Sequence, residues 1–169
     1  FSVAAEILSK TGANAIKLEG GRELTDTINY LVERGIPVMG HVGLMPQRIN
    51  IKGKFISQGK SAKEVKKIIA DAKSVESAGA FSMVVEAVKE SLGKKITKSV
   101  DIPTIGIGAG KYCDGQILVT DDMLGLFDTF TPKFVKKYAN LYQDIDKAIE
   151  KYRDEVLNGK FPAAKNSYN

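Results

Sequence analysis

Thr11-Gly12-Ala13-Asn14-Ala15-Ile16-Lys17-Leu18-Glu19 is answered further along the chain by Ala78-Gly79-Ala80-Phe81-Ser82-Met83-Val84-Val85-Glu86. Each copy has a glycine suited to ending a helix, then a short apolar run of strand type, then a glutamate. A second pair follows in the same order, Ile36-Pro37 leading to Gly40 and Ile102-Pro103 leading to Gly106. The offsets nearly coincide, 67 residues from Glu19 to Glu86 and 66 from Pro37 to Pro103. Two consecutive βαβα units of one length predict a parallel sheet with helical crossovers. Strand follows helix without a break, and no dinucleotide fingerprint opens the chain, which favours a (β/α)8 barrel. A flavodoxin-like open sheet is the alternative on pattern alone.

Outward from the repeat, the helical stripes are Val3, Ile7 and Leu8; Leu24, Ile28, Leu31 and Val32; and Val65, Ile68, Ile69, Ala72 and Val75, the last opened by a capping box at Ser61 to Glu64. Strands are expected from near Ala13, Ile36, Phe81, Pro103 and Gln116, the last running to Thr120. A barrel needs eight strands and typically about 250 residues. The chain is therefore read as the C-terminal two-thirds of a (β/α)8 TIM barrel. Residues 1–169 would form a single incomplete barrel domain lacking its N-terminal strands, with C-terminal helices over about 132–158 and a polar tail at 159–169.

Composition narrows the function. Hydrophobic residues at 43% and charged residues at 27% describe a packed globular chain. The excess of 25 Lys+Arg over 20 Asp+Glu is spread over helix faces, at Lys63, Lys66, Lys67 and Lys73 and at Lys94, Lys95 and Lys98, with no interleaved aromatic platform. That argues for solvated surfaces and against a nucleic-acid partner. The one cysteine, Cys113, excludes an internal disulfide and suits a reducing compartment. With a single histidine, His41, any metal must be held largely by carboxylates, which favours a hard cation such as Mg²⁺. The charge-free stretch from Gly35 to Gln47 is too short and too broken to span a membrane, and the first ten residues lack the basic start of a signal peptide. A cytoplasmic protein is expected.

Period-two alternation then places the ionisable groups. Lys17 and Glu19 share the strand face opposite Ile16 and Leu18, so both point toward a barrel interior, near the carboxyl end where barrel sites lie. Side by side they suit an anionic ligand and a cation, or an interior ion pair that only closes the barrel. Glu86 ends a run with no other charge, where partial loss of water favours a proton-accepting role; capping of the following helix is the alternative. His41, between Gly40 and Val42, sits at another strand end, as a ligand donor or a structural histidine. The long connection from Gly43 to Lys60, with Arg48, Lys52, Lys54 and Lys60, suits a lid or a subunit contact. Gly106-Ile107-Gly108-Ala109-Gly110 has the wrong spacing for a nucleotide loop and reads better as close backbone approach to a small ligand. Asp121-Asp122 read as groups at a helix start.

These segments resemble the 3-methyl-2-oxobutanoate (ketopantoate) hydroxymethyltransferase family. The resemblance is carried by residues 12–21, by Pro37-Val38-Met39-Gly40-His41-Val42-Gly43-Leu44-Met45-Pro46-Gln47, by Glu76 to Glu86, by Ile105 to Gly110 and by Asp114 to Val119. It implies a Mg²⁺-dependent barrel that transfers a hydroxymethyl unit from 5,10-methylenetetrahydrofolate to 3-methyl-2-oxobutanoate, giving 2-dehydropantoate in pantothenate biosynthesis. It further implies a homo-oligomer whose partners are these small molecules, with no nucleic acid and no membrane. By the same resemblance Glu19 matches the metal-associated glutamate, Lys17 the lysine that binds the oxo-acid carboxylate, Glu86 the proton acceptor and His41 a substrate-pocket histidine. The family's earlier metal-holding motifs, an Asp-Ser pair and a further Asp, have no counterpart here. A Mg²⁺-dependent lyase of the phosphoenolpyruvate mutase type, or an assembly fragment, are the competing readings.

Overall fold

The computed structural model describes residues 1–45, 57–127 and 129–168. It divides into two compact units, Phe1–Ile117 and Leu118–Asn169.

In the first unit the order is α1 (Ser2–Thr11), β1 (Ile16–Glu19), a 3-10 turn (Arg22–Leu24), α2 (Thr25–Val32), β2 (Val38–Gly43), α3 (Ala62–Ser77), β3 (Ser82–Glu86), α4 (Glu90–Thr97), β4 (Thr104–Ile107) and β5 (Gly115–Gln116). Among the described residues the five strands form one sheet in the order β1-β2-β3-β4-β5, and every pairing is parallel. A doubly wound open sheet reverses its strand order at a switch point. Consecutive order without reversal is that of a barrel wall, so the flavodoxin-like alternative falls and the β/α-barrel class stands.

The sheet's two faces differ as the alternation requires. Val38, Val42, Met83 and Val85 turn toward the helices and join Ile28 and Leu31 of α2, Ile68, Ala72 and Val75 of α3, and Leu92 and Ile96 of α4 in one buried cluster. β3 is buried along its whole length, as a central parallel strand should be. Each fully buried aliphatic side chain of this cluster stabilises the fold by roughly 1.5–3 kcal/mol relative to exposure.

Capping follows the sequence with one change. Ser61 Oγ accepts from the Glu64 N–H at 3.2 Å, but the Glu64 carboxylate accepts from the N–H groups of Gly59 and Lys60, at 3.1 and 2.8 Å. The returning chain is thereby fastened to the helix it enters.

The turn after β1 is held by a buried carboxylate. Asp71 on α3 accepts from Lys67 Nζ at 2.6 Å and Arg22 Nε at 3.0 Å, and its side chain is 5% exposed. A Cβ on Gly21 would collide with the Asp71 side chain, so only glycine lets the turn come this close. Burial pushes the Asp71 carboxyl up, and the hydrogen bonds from Lys67 and Arg22 outweigh it and hold it below the ordinary value.

The strand expected over 116–120 contracts to Gly115–Gln116, because Val119 leads into a short helix, α5 (Thr120–Leu124), with Asp121 and Asp122 in its first turn. β5 is drawn to β4 by Asp114, whose Oδ2 accepts from the Thr104 N–H and hydroxyl, both at 2.8 Å. In the second unit α6 (Leu141–Leu157) is shorter than the helix expected from about 132. The Tyr138 and Tyr142 N–H groups donate to the carbonyls of Met123 and Gly125, which takes the local backbone out of helical bonding. A 3-10 turn, Ala164–Asn166, follows α6.

Replacing Asp71 with Ala should cost about 1–3 kcal/mol in urea unfolding, tempered by the solvent around Arg22 and Lys67. The native carboxyl lies below its unfolded value near 3.9, so its contribution is complete above that value. The gap between wild type and variant should close as pH falls through the lower native value, and a gap independent of pH would contradict the assignment.

Candidate functional site

In-register neighbours on parallel strands face the same way, so the pairings sort the inner face into layers. Lys17, Met39 and Ser82 form one layer, Glu19, His41, Val84 and Ile105 the next, and Gly43, Glu86 and Ile107 the last, at the carboxyl ends. The sequence placed Lys17 and Glu19 on one inward face and His41 and Glu86 at strand ends, and the structure brings the four together.

Lys17 starts a layer below Glu19 and reaches up, placing its Nζ 3.7 Å from Glu19 Oε1. Its side chain is 46% exposed, that of Glu19 is 19% exposed. His41 lies between the two glutamates, with Nδ1 3.6 Å from Glu19 Oε1 and Nε2 3.1 Å from Glu86 Oε2. Neither separation has hydrogen-bond alignment, so both ring nitrogens and Glu19 Oε2 are buried without a hydrogen-bond partner among the described residues.

The backbone behind Glu86 is fixed from three sides. Its carbonyl accepts from the Leu44 N–H at 2.9 Å, the next N–H, of Ala87, donates to Ile107 O at 2.8 Å, and the Ala87 carbonyl accepts from the Gln58 N–H at 2.8 Å. Ala87 is left-handed, at φ 47, which costs a residue with a side chain roughly 1–2 kcal/mol. Gly43, at φ 101, lies so close to Glu86 that a Cβ would strike the Glu86 carbonyl oxygen. The turn at Ala87 was not foreseeable, since Ala87 carries no sequence mark of a left-handed conformation. The Arg22–Asp71 clamp was also missed; the Lys67–Asp71 spacing was visible on α3, but its partner 49 residues away was not.

Other sequence candidates fall elsewhere. The glycine loop after β4 packs on α4, where Gly110 lies against Glu90 and Gly93 against Ala109 O. Asp121 and Asp122 lie in α5 of the second unit. Of the expected lid, residues 46–56, with Arg48, Lys52 and Lys54, are outside the described residues.

As a metal site the donor set is incomplete and of one kind. Among the described residues no group of three or more His, Cys, Asp or Glu could hold an ion. Glu19 Oε2, buried and unpartnered, is a single hard oxygen ligand with lone pairs to give. It fits a cation whose other ligands come from elsewhere.

Ionisable groups confined to the carboxyl end of consecutive parallel strands are the mark of β/α-barrel proteins that take a small ligand in the barrel mouth. Comparison with known proteins narrows that class. The family model for ketopantoate hydroxymethyltransferase matches residues 1–164, and the chain belongs to that family. It is 53% identical over 168 residues to the 3-methyl-2-oxobutanoate hydroxymethyltransferase of Sinorhizobium medicae (strain WSM419), covering 99% of this chain and 62% of the relative. To the enzyme of the same name from Paracoccus denitrificans (strain Pd 1222) it is 54% identical, covering 96% and 59%. To that of Kosmotoga olearia (strain ATCC BAA-1733 / DSM 21960 / TBF 19.5.1) it is 52% identical, covering 94% and 60%. The chain thus spans about three-fifths of the length of these relatives. No helix among the described residues is long and apolar enough to cross a membrane.

Gly43→Ala should disturb this corner more than an ordinary loop substitution, by roughly 1–3 kcal/mol for the forced positive φ alone. Thermal melting checks it, and a change below about 0.5 kcal/mol would mean that the Gly43–Glu86 contact relaxes freely.

Proposed function

We propose that this chain supplies the proton-accepting side of a ketopantoate hydroxymethyltransferase site, acting on 3-methyl-2-oxobutanoate with 5,10-methylenetetrahydrofolate as one-carbon donor. The observation that carries the reading is the placement of Glu86 at the end of a fully buried strand, across His41 from Glu19 and Lys17.

Each residue then has a task its surroundings suit. Lys17, half exposed at the mouth, pairs with the carboxylate of the oxo acid and sets its orientation. Glu86 accepts the proton from C3, and the C–H electron pair moves toward the keto group to give an enolate. Water takes the methylene carbon from the folate, both C–N bonds breaking as formaldehyde forms and the two nitrogens take up the protons of water to leave tetrahydrofolate. The enolate carbon then bonds to the formaldehyde carbon, and the alkoxide formed takes up the proton that Glu86 removed, giving 2-dehydropantoate. Glu19 would hold Mg²⁺, which when bound supplies Lewis-acid stabilisation of the oxyanion.

Cytoplasmic action is supported by Cys113, buried and unpaired. Self-association of the protein is supported by α6, where Tyr142, Ile145, Ile149, Tyr152 and Val156 repeat on one stripe and are all exposed.

Glu86→Gln in the full-length protein should slow Mg²⁺-dependent exchange of the oxo-acid C3 proton with D₂O by at least ~10²-fold, with oxo-acid binding retained. Exchange near the wild-type rate would remove Glu86 as the base. Lys17→Met should weaken oxo-acid binding by roughly 10-fold or more, read by calorimetry. An unchanged affinity would make Lys17 an interior ion pair only.

A further inference from the structure

His41 is the least exposed of the four site residues, at 1%, and both its ring nitrogens face carboxylates. A side chain so closed off has no surface left for a ligand, and its two polar atoms are both occupied in direction, one by Glu19 and one by Glu86. Buried imidazole nitrogens without bonds are costly, and the 3.1 Å approach to Glu86 Oε2 is already within hydrogen-bond length and lacks only alignment. We propose that His41 is a positioning residue: it touches no substrate, and through Nε2 it holds the Glu86 carboxylate in the orientation from which it reaches the substrate carbon. The inference rests on the reading of Glu86 as the base.

The layers explain why a tether is useful. Glu19 and His41 are register partners, whereas Glu86 stands a layer higher, two residues past Val84, the partner of His41. Backbone bonds fix Glu86 up to its Cα but leave its side-chain torsions free, and an extended glutamate loses substantial rotamer entropy when held. The rigid imidazole, fixed on a central strand, gives that carboxylate a second anchor. It also sets a ring between two like charges that would otherwise face each other across the inner surface. A neutral imidazole carries one N–H, so it donates to one carboxylate at a time, and the shorter contact marks Glu86 as the recipient.

The test separates the two nitrogens. A glutamine amide can stand where Nε2 stands, and an asparagine amide only where Nδ1 stands. In the full-length protein His41→Asn should lower kcat for C3 proton exchange by about 10–100-fold, with the oxo-acid KM and calorimetric affinity changed less than about threefold. His41→Gln should recover most of the lost kcat. A raised KM with unchanged kcat would show a substrate contact and overturn the proposal. Equal rates in the two variants, or a lowered melting temperature with kcat intact, would reduce His41 to a structural residue and overturn it as well. Glu86→Gln measured alongside tells the failures apart: if that variant exchanges normally, the base assignment falls and takes this inference with it.

Discussion

Everything at the inner face depends on the register of three parallel strands. Pairing Glu19 with His41 and Gly43 with Glu86 brings residues from distant parts of the chain onto one surface, on strands that in any sheet lie about 4.8 Å apart. A one-residue slip of β2 against either neighbour would turn His41 into the helix-facing core and bring Val42 inward. That slip is opposed by the apolar cluster on the other face, where Val38, Val42, Met83 and Val85 are already buried against three helices. The hydrophobic face thus decides where the charges stand, although it takes no part in their chemistry.

The fold was legible because two signals agreed. The glycine–strand–glutamate repeat gave the parallel units, and alternation within Ile16-Lys17-Leu18-Glu19 gave the inward face. Both are local patterns, and local patterns survive into structure when burial supports them. The errors came where tertiary bonds compete with propensity. Residues after Pro132 look helical, but the amides of Tyr138 and Tyr142 find carbonyls elsewhere in their unit. Gln116 to Thr120 looks like a strand, but Asp121 and Asp122 favour a helix start and leave β5 with two residues.

For the site, the residue types, the shared face of Lys17 and Glu19 and the strand-end positions of His41 and Glu86 were legible, and the separations were not. Nothing in the sequence says that His41 stands between Glu19 and Glu86, since that follows from its pairing with Glu19 and Val84, 22 and 43 positions away. The backbone fixtures were less visible still. Asp71 lies four residues after Lys67 on α3, and only the structure brings Arg22 and Gly21 against it. The two copies of the repeat also part company here: both glutamates face the His41 ring, but Glu19 stands 3.6 Å from it and keeps a buried unpartnered oxygen, whereas Glu86 approaches to 3.1 Å.

The left-handed turn at Ala87 has a consequence for timing. With its N–H tied to Ile107 and its carbonyl to Gln58, the peptide that follows Glu86 cannot swing to accommodate a ligand. The entropy of that backbone is lost when the protein folds, long before any substrate arrives. In the reaction proposed for Glu86, the carboxylate would therefore start from an already ordered main chain, and the strain at one alanine would be the counterpart of a lower organisational barrier beside it.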